Sequence, residues 1–339
     1  MNNPMLTVLD QVVIAGGREP RSRVFAGVQL LADGELLVGF RQGSDHLVTD
    51  DGAVLMTRST DSGRTWSDPQ PIVALPGWDC AGGNRIALLP DRSLLMFVFQ
   101  ARWRPTDSGL PEREAHVYPT RSDDGGRTWT TFGPELQLFS GWTEPYAHGS
   151  MHVTADGSWL LPVHGADCLG GKTYSTVAAS TDYGRTWNRR AIVAAADDTN
   201  FYETDMIGLD DSRLLAVIRT EDPPFIACQT YSADEGCTWT APRPTGFYGQ
   251  TPRLFRLRSG ALLCAYRDRD PGRPGVSYSI SEDAGDTWIF SDRLYQAADW
   301  NCGYPDLVRL AGGEIFCVFY TSYSDGDCQV HGLFLRDET

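Results

Sequence analysis

The sequence predicts an all-β chain folded as a single six-bladed β-propeller of four-stranded antiparallel blades, covering residues 1–339. Three observations predict it. The eight-residue pattern S-x-D-x-G-x-T-W occurs five times at blade-like spacing. A strand–turn–strand pattern recurs in six places, one more than the octapeptide. Glycine (35) and proline (20) are abundant while lysine is scarce, which suits many short strands joined by tight turns.

The octapeptide reads as a turn. Its copies run Ser59–Trp66, Ser122–Trp129, Ser180–Trp187, Ser232–Trp239 and Ser281–Trp288, centred on Asp61, Asp124, Asp182, Asp234 and Asp283. Asp and Ser side chains accept hydrogen bonds from nearby backbone and close the turn, and Gly supplies a positive φ. The Trp then opens the next strand and packs inward. The second recurring pattern is an apolar strand, a D-G-like turn and another apolar strand. It is seen at Val28–Phe40, Arg85–Val98, Met151–Leu161, Met206–Ile218, Leu254–Tyr266 and Leu307–Phe319. Six units of about four strands follow, and the chain ends too soon after His331–Leu335 to complete the sixth. The N-terminal run Leu6–Ala15 has strand character and is expected to supply the missing strand.

Composition bounds the partners. The chain carries 29 Lys+Arg against 44 Asp+Glu, a formal charge of −15. That balance argues against nucleic acid, whose phosphates require clustered cations, and against an anionic membrane surface. The longest apolar stretches, such as Leu94–Phe99, have strand length, far short of the ~20 residues of a spanning helix. Met1 to Gly17 lacks Lys and Arg and includes Asp10, so no leader is read there. A cytoplasmic protein is expected, or a secreted one if a leader has been removed. The eight cysteines form no CxxC pair and are expected to be free buried thiols.

In a propeller the first residues of the innermost strands surround the axis at one mouth. Those positions read Arg23, Asn84-Arg85, His148, Glu203, Arg253 and Tyr304, ionisable groups opening otherwise apolar strands. With the repeated octapeptide, the chain resembles the sialidase (neuraminidase) superfamily, whose Asp-boxes have this pattern and whose catalytic domains are six-bladed propellers. The boxes specify the fold and not an activity, so the site has to carry the function.

The resemblance implies roles residue by residue. Cys302-Gly303-Tyr304-Pro305-Asp306-Leu307 looks like the family's last-blade stretch, which makes Tyr304 the nucleophile. Glu203 and Arg219 stand where the family has a Glu and, sixteen residues on, an Arg. Arg23 resembles the blade-one arginine. Arg273 falls eight residues before the blade-five box, as the last clamp arginine does in relatives, with Arg267 and Arg253 as rivals. The chemistry is coherent. Arginines grip a carboxylate with forked bonds. A neutral Tyr avoids the repulsion an anionic nucleophile would meet from that carboxylate, and the adjacent Glu takes its proton.

The proton donor matches the family less well. Counting back ten residues from Arg58 reaches Val48, so the candidates in the Arg41–Gly52 loop are Asp50 first and Asp51 second, with Asp45 also present. Arg41 and His46 of this loop, and Arg85 and His148, are further candidates for substrate contact. No cofactor and no metal are expected: His148 and His152 lie four apart on a strand pattern, not on a metal-binding helix. The expected activity is exo-glycosidic hydrolysis of a terminal sialic acid or related acidic sugar, with retention through Tyr304. The alternatives are a related glycosidase that uses carboxylates on another sugar, and a non-catalytic propeller that binds glycan or protein.

Overall fold

The computed structural model describes residues 6–17, 21–46, 49–104, 112–139, 146–168, 170–270, 272–324 and 327–338. The described residues are all-β, without a helix. Among them, strand pairing forms four hydrogen-bonded sheets of eight, five, five and seven strands, which divide into successive antiparallel units along the chain. Unit one comprises Ser22–Leu30, Leu36–Gly43, Ala53–Ser59 and Gln70–Val73. Unit two has a broken first strand, Asp79–Ala81 and Ala87–Leu88, followed by Leu94–Arg104, Glu112–Ser122 and Thr130–Thr131. Unit three is broken in the same way, at Tyr146–Ala147 and His152–Val153, before Trp159–Gly165, Tyr174–Ser180 and Asn188–Ala194.

Units four and five share the long strand Arg243–Arg256. Its first part pairs with Ile226–Ser232 and its second with Leu262–Asp268. Unit four otherwise holds Phe201–Gly208 and Leu214–Thr220, and unit five holds Gly275–Ser281 and Ile289–Gln296. Unit six runs Cys302–Arg309, Ile315–Ser324 and Asp327–Asp337, and the N-terminal strand Leu6–Ala15 pairs antiparallel with the last of these. The N-terminal run therefore completes the final group, as its sequence suggests.

Apolar side chains fill every junction between consecutive units. Leu37 and Val54 meet Leu94 and Val98 between units one and two. Leu95 and Phe99 meet Trp159 and Leu161 between two and three. The last junction joins the ends of the chain: Phe316, Val318 and Phe334 of unit six pack with Val28, Leu36 and Phe40 of unit one. At the inner edge the backbones come very close. A Cβ on Gly27 would lie 2.5 Å from the Asn84 carbonyl, so only glycine fits there.

All eight cysteines are free thiols. Five are buried, but Cys168 and Cys237 are exposed, which corrects the expectation that all would be buried. Both lie in turns, where a small side chain has no core to enter.

Candidate active site

The first strand of four units carries an irregularity where it begins. Register shifts fall between Val24 and Gly27, Phe201 and Thr204, Gln250 and Arg253, and Gly303 and Asp306. Within three of them a non-glycine residue takes a positive φ: Phe25 (58°), Thr251 (51°) and Tyr304 (54°). Bulges re-aim side chains, and left-handed backbone at bulky residues persists only where surrounding contacts hold it. Tyr304 is held in this way. Its amide donates to Thr251 Oγ1 at 3.3 Å and its ring packs on Phe25 at 4.8 Å.

The Tyr304 hydroxyl donates to Glu203 Oε1 at 2.6 Å. Arg219 Nη1 donates to both oxygens of the same carboxylate at 2.9 Å. Both Tyr304 and Glu203 are buried. Burial opposes ionisation of Glu203, but the Arg219 guanidinium outweighs it and holds the carboxyl well below its usual range. Burial, and then the Glu203 charge, push the Tyr304 phenol well above its ordinary value. The resting pair is a neutral phenol bonded to a carboxylate.

The hydrogen bonds continue sideways. Arg219 Nε donates to Glu221 Oε2 at 2.8 Å, and Gln250 Nε2 donates to the same oxygen at 3.1 Å. Arg267 Nη1 reaches Gln250 Oε1 at 3.5 Å, while Arg267 Nη2 donates to the Tyr320 hydroxyl at 2.6 Å and Nε to the Cys302 carbonyl. Arg267 is thus the unit-five arginine in the same network as Arg219. Arg273 is not brought there: it lies 3.9 Å from Asp268 and 3.7 Å from Asp270 in its own loop. Arg23 is buried and donates to Asp327 Oδ1 at 3.0 Å.

Arg253 belongs to a second network. Ser150, Asp205, Arg253 and Asp306 stand two residues beyond His148, Glu203, Thr251 and Tyr304 in the chain and are linked to one another. Arg253 Nε donates to Asp306 Oδ1 at 2.6 Å, and Nη1 donates to Asp205 Oδ2 at 3.3 Å and to Ser150 Oγ. The Val28 amide of unit one donates to Asp306 Oδ2 at 2.9 Å, and Arg85 of unit two lies 3.8 Å from that oxygen. All six units join this network. Arg253 and Arg85 are thus placed against this carboxylate network, and the bulge between Gln250 and Arg253 sets Thr251 beside the Tyr304 amide.

His148 lies between Asn84 and Tyr304. Its Nδ1 pairs with Asn84 Nδ2 at 3.2 Å and its ring meets Tyr304 edge-on at 5.4 Å. Burial, then Arg85, lower it to about 3. His164 stacks on Tyr146 at 5.8 Å and is lowered to about 4, mainly by burial.

In the Arg41–Gly52 loop, Arg41 forms a buried forked pair with Asp79 (Nε to Oδ1 2.7 Å, Nη2 to Oδ2 3.1 Å). Asp51 is a turn lock. It accepts bonds from the Ser44 amide (3.0 Å), the Thr49 hydroxyl (2.8 Å) and Arg21 (2.9 Å). Those bonds override its slight burial and bring it to about 2. Asp51 is thereby placed in the loop's own framework. Asp50 is exposed, and among the described residues no side chain holds it. Val48 lies outside the described residues. The His46 ring packs against Phe25 (5.2 Å) and Tyr320 (5.7 Å), and burial, then Arg267 and Arg41, lower it to about 4. The described residues contain no group of three His, Cys, Asp or Glu able to hold a metal.

Sequence reasoning did not single out Asp79, Glu221, Gln250, Asp205 or Asp306. The last two were findable: each is an acidic residue two positions beyond a chosen one, on a strand that is otherwise apolar.

Known proteins share this architecture. The chain is 27% identical over 345 residues to a sialidase from Micromonospora viridifaciens, covering 91% of this chain and 51% of that one, so it spans about half the length of that relative. A crystal structure of a protein of unknown function from Dyadobacter fermentans superposes with a TM-score of 0.83 at 22% identity, covering 99% of this chain and 100% of that one. The NanB sialidase from Streptococcus pneumoniae superposes with a TM-score of 0.72 at 13% identity, covering 98% of this chain and 71% of that one. Residues 78–317 match the family described as BNR repeat-like domain, and the chain belongs to that family.

Proposed function

We propose that this protein is an exo-glycosidase that removes a terminal sialic acid, or a related 2-keto sugar acid, from glycans with retention, on a single six-bladed β-propeller. One observation carries the reading: the Tyr304 hydroxyl donating to Glu203 at 2.6 Å while Arg219 grips the same carboxylate. The junction joining unit six to unit one supports the propeller. The likeness to a sialidase supports the substrate class.

The steps follow from the charges. The sugar carboxylate is received by Arg219 and Arg267. Its charge offsets that of Arg219, which otherwise keeps Glu203 a weak base, so binding strengthens Glu203 as a proton acceptor. Tyr304 Oη then attacks the anomeric carbon and its proton passes to Glu203. The bond to the leaving oxygen breaks as that oxygen takes a proton from the unit-one loop, where Asp50 is the proposed donor. In the second half Asp50 takes a proton from water, the resulting hydroxide attacks the anomeric carbon, and Tyr304 departs and recovers its proton from Glu203.

A glycan-binding protein without turnover is the second reading. It is favoured by the loss of Asp51 to turn-locking, which leaves the loop one uncommitted carboxyl in place of two. Assay of 4-methylumbelliferyl glycosides separates the two. Wild type is expected to cleave the sialoside, and Tyr304→Phe to lose on the order of 10³-fold or more in kcat/KM. Turnover of another glycoside that is indifferent to Tyr304 overturns the proposed mechanism. Inertness across the panel with retained glycan binding establishes the second reading.

A further inference from the structure

Arg269 stands two residues beyond Arg267, at the same end of unit five. Its guanidinium carbon lies 4.5 Å from the Phe225 ring centroid and 4.9 Å from that of Trp300. Phe225 belongs to the loop that follows Arg219 and Glu221, and Trp300 to the segment that leads into Tyr304. Three loops of the catalytic mouth therefore meet around one arginine. Trp300 is exposed, although large aromatic side chains are usually covered.

The other arginines of the mouth have carboxylate or carbonyl partners. Arg219 holds Glu203 and Glu221, Arg23 holds Asp327, Arg41 holds Asp79, and Arg267 is bonded to Tyr320 and to a carbonyl. Arg269 has no ion pair and no side-chain hydrogen bond to a described residue. It is held by stacking alone, which fixes the plane of the guanidinium and leaves its N–H edge free. Partial burial, then Arg267, disfavour its charged form; Glu221 offsets part of this from a distance, and Arg219 opposes the charged form more weakly. The N–H edge of Arg269 is therefore open to an anion from outside.

We propose that Arg269, clamped between Phe225 and Trp300, is a specificity element that binds an oxyanion group, carboxylate or sulfate, on the leaving part of the glycan. This rests on the glycosidase reading and adds the class of leaving group. The sugar acid's own carboxylate goes to Arg219 and Arg267, deeper in the site. An anionic substituent on the next residue meets Arg269 at the rim, with the exposed Trp300 face beside it.

The test compares three soluble glycans bearing the same terminal sialic acid: one on lactose, one on sulfated lactose, and one on a second sialic acid. Wild type is expected to favour an anionic leaving group by about tenfold in kcat/KM, the size of one charge-assisted contact at a partly exposed site, and to lose the preference at high salt. Arg269→Met, which keeps the length and the stacking stem, should bring the ratio close to one, and Arg269→Lys should restore part of it. Preference for the sulfated glycan alone assigns sulfate; preference for the doubly acidic glycan alone assigns carboxylate. Equal rates on all three with wild type, or an unchanged ratio in Arg269→Met, overturns the proposal. If nothing is cleaved, the hydrolase reading fails. The same three glycans then test Arg269 through their binding affinities, where the same tenfold preference and its loss in Arg269→Met are expected, and equal affinities overturn it.

Discussion

In all five Asp-boxes the Ser hydroxyl donates to the Asp carboxylate at 2.7–2.9 Å and the Thr hydroxyl at 2.6 Å. The Gly amide returns to the Ser oxygen at 2.7–2.9 Å each time. At the inner edge no two units supply the same pair: His148 and Ser150, Glu203 and Asp205, Thr251 and Arg253, Tyr304 and Asp306. The rim repeats because each box solves the same local turn, and it solves it with its own backbone. The inner edge diverges because its contributions must fit one another. Repetition in this chain marks architecture, and departure from repetition marks chemistry.

That contrast can be broken experimentally. The largest expected effect is of pH, since four interior imidazoles act together. Burial lowers His46, His164 and His331 to about 4, and His148 to about 3. Their unfolded counterparts titrate near 6.5. Below pH about 6.5 the unfolded chain therefore takes up protons that the folded chain refuses until about 4, and stability falls steadily across that window after being full above it. Urea midpoints at pH 7.5, 5.5 and 4.5 measure this. A flat profile would show that the interior admits charged imidazole. The turn-lock carboxylates of the rim, such as Asp61 at about 2, keep their full stabilisation above about pH 4 and lose it only as pH falls from there towards 2, so rim and centre should fail in separate ranges.

Next in size is Asp205→Ala. The carboxylate is fully buried and accepts the Leu254 amide at 2.7 Å, the Ser150 amide at 2.6 Å and Arg253 at 3.3 Å. Removing it leaves a buried arginine short of a counter-charge, and a loss of about 3–5 kcal/mol is expected in urea unfolding. A loss under about 1 kcal/mol would mean that this network does not fasten the six units. The smallest effect is at the rim. Asp124→Ala removes the acceptor for the Thr128 and Arg127 amides, at 2.9 Å each, and should lower Tm by on the order of 2–4 °C without moving the kinetics of the proposed hydrolysis. Asp283→Ala should do the same, because its turn is the same. Different outcomes at the two boxes would break the equivalence of the rim.

Much of the site was legible because its chemistry depends on residue type at the start of a strand. Tyr304 and Glu203 follow from position at the start of a strand and Arg219 from the family resemblance, and both Tyr304 and Arg219 are bonded to Glu203. Choosing among Arg267, Arg273 and Arg253 was not possible from spacing. The bulge between Gln250 and Arg253 rotates the strand by one position, and such irregularities leave no sequence period. Asp51 was a reasonable candidate acid on composition, and only the convergence of Ser44, Thr49 and Arg21 on it makes it structural.

The order of strands, the five box turns and the use of the N-terminal strand to complete the last unit were determined by the sequence alone, because hydrophobic alternation and turn chemistry act over a few residues. Which arginine faces which carboxylate was decided only by the tertiary structure. Glu203 and Tyr304 are 101 residues apart and Arg23 and Asp327 are 304 apart. No local preference encodes such a meeting: it depends on how the units pack around their common centre and on backbone bulges that turn individual side chains toward it.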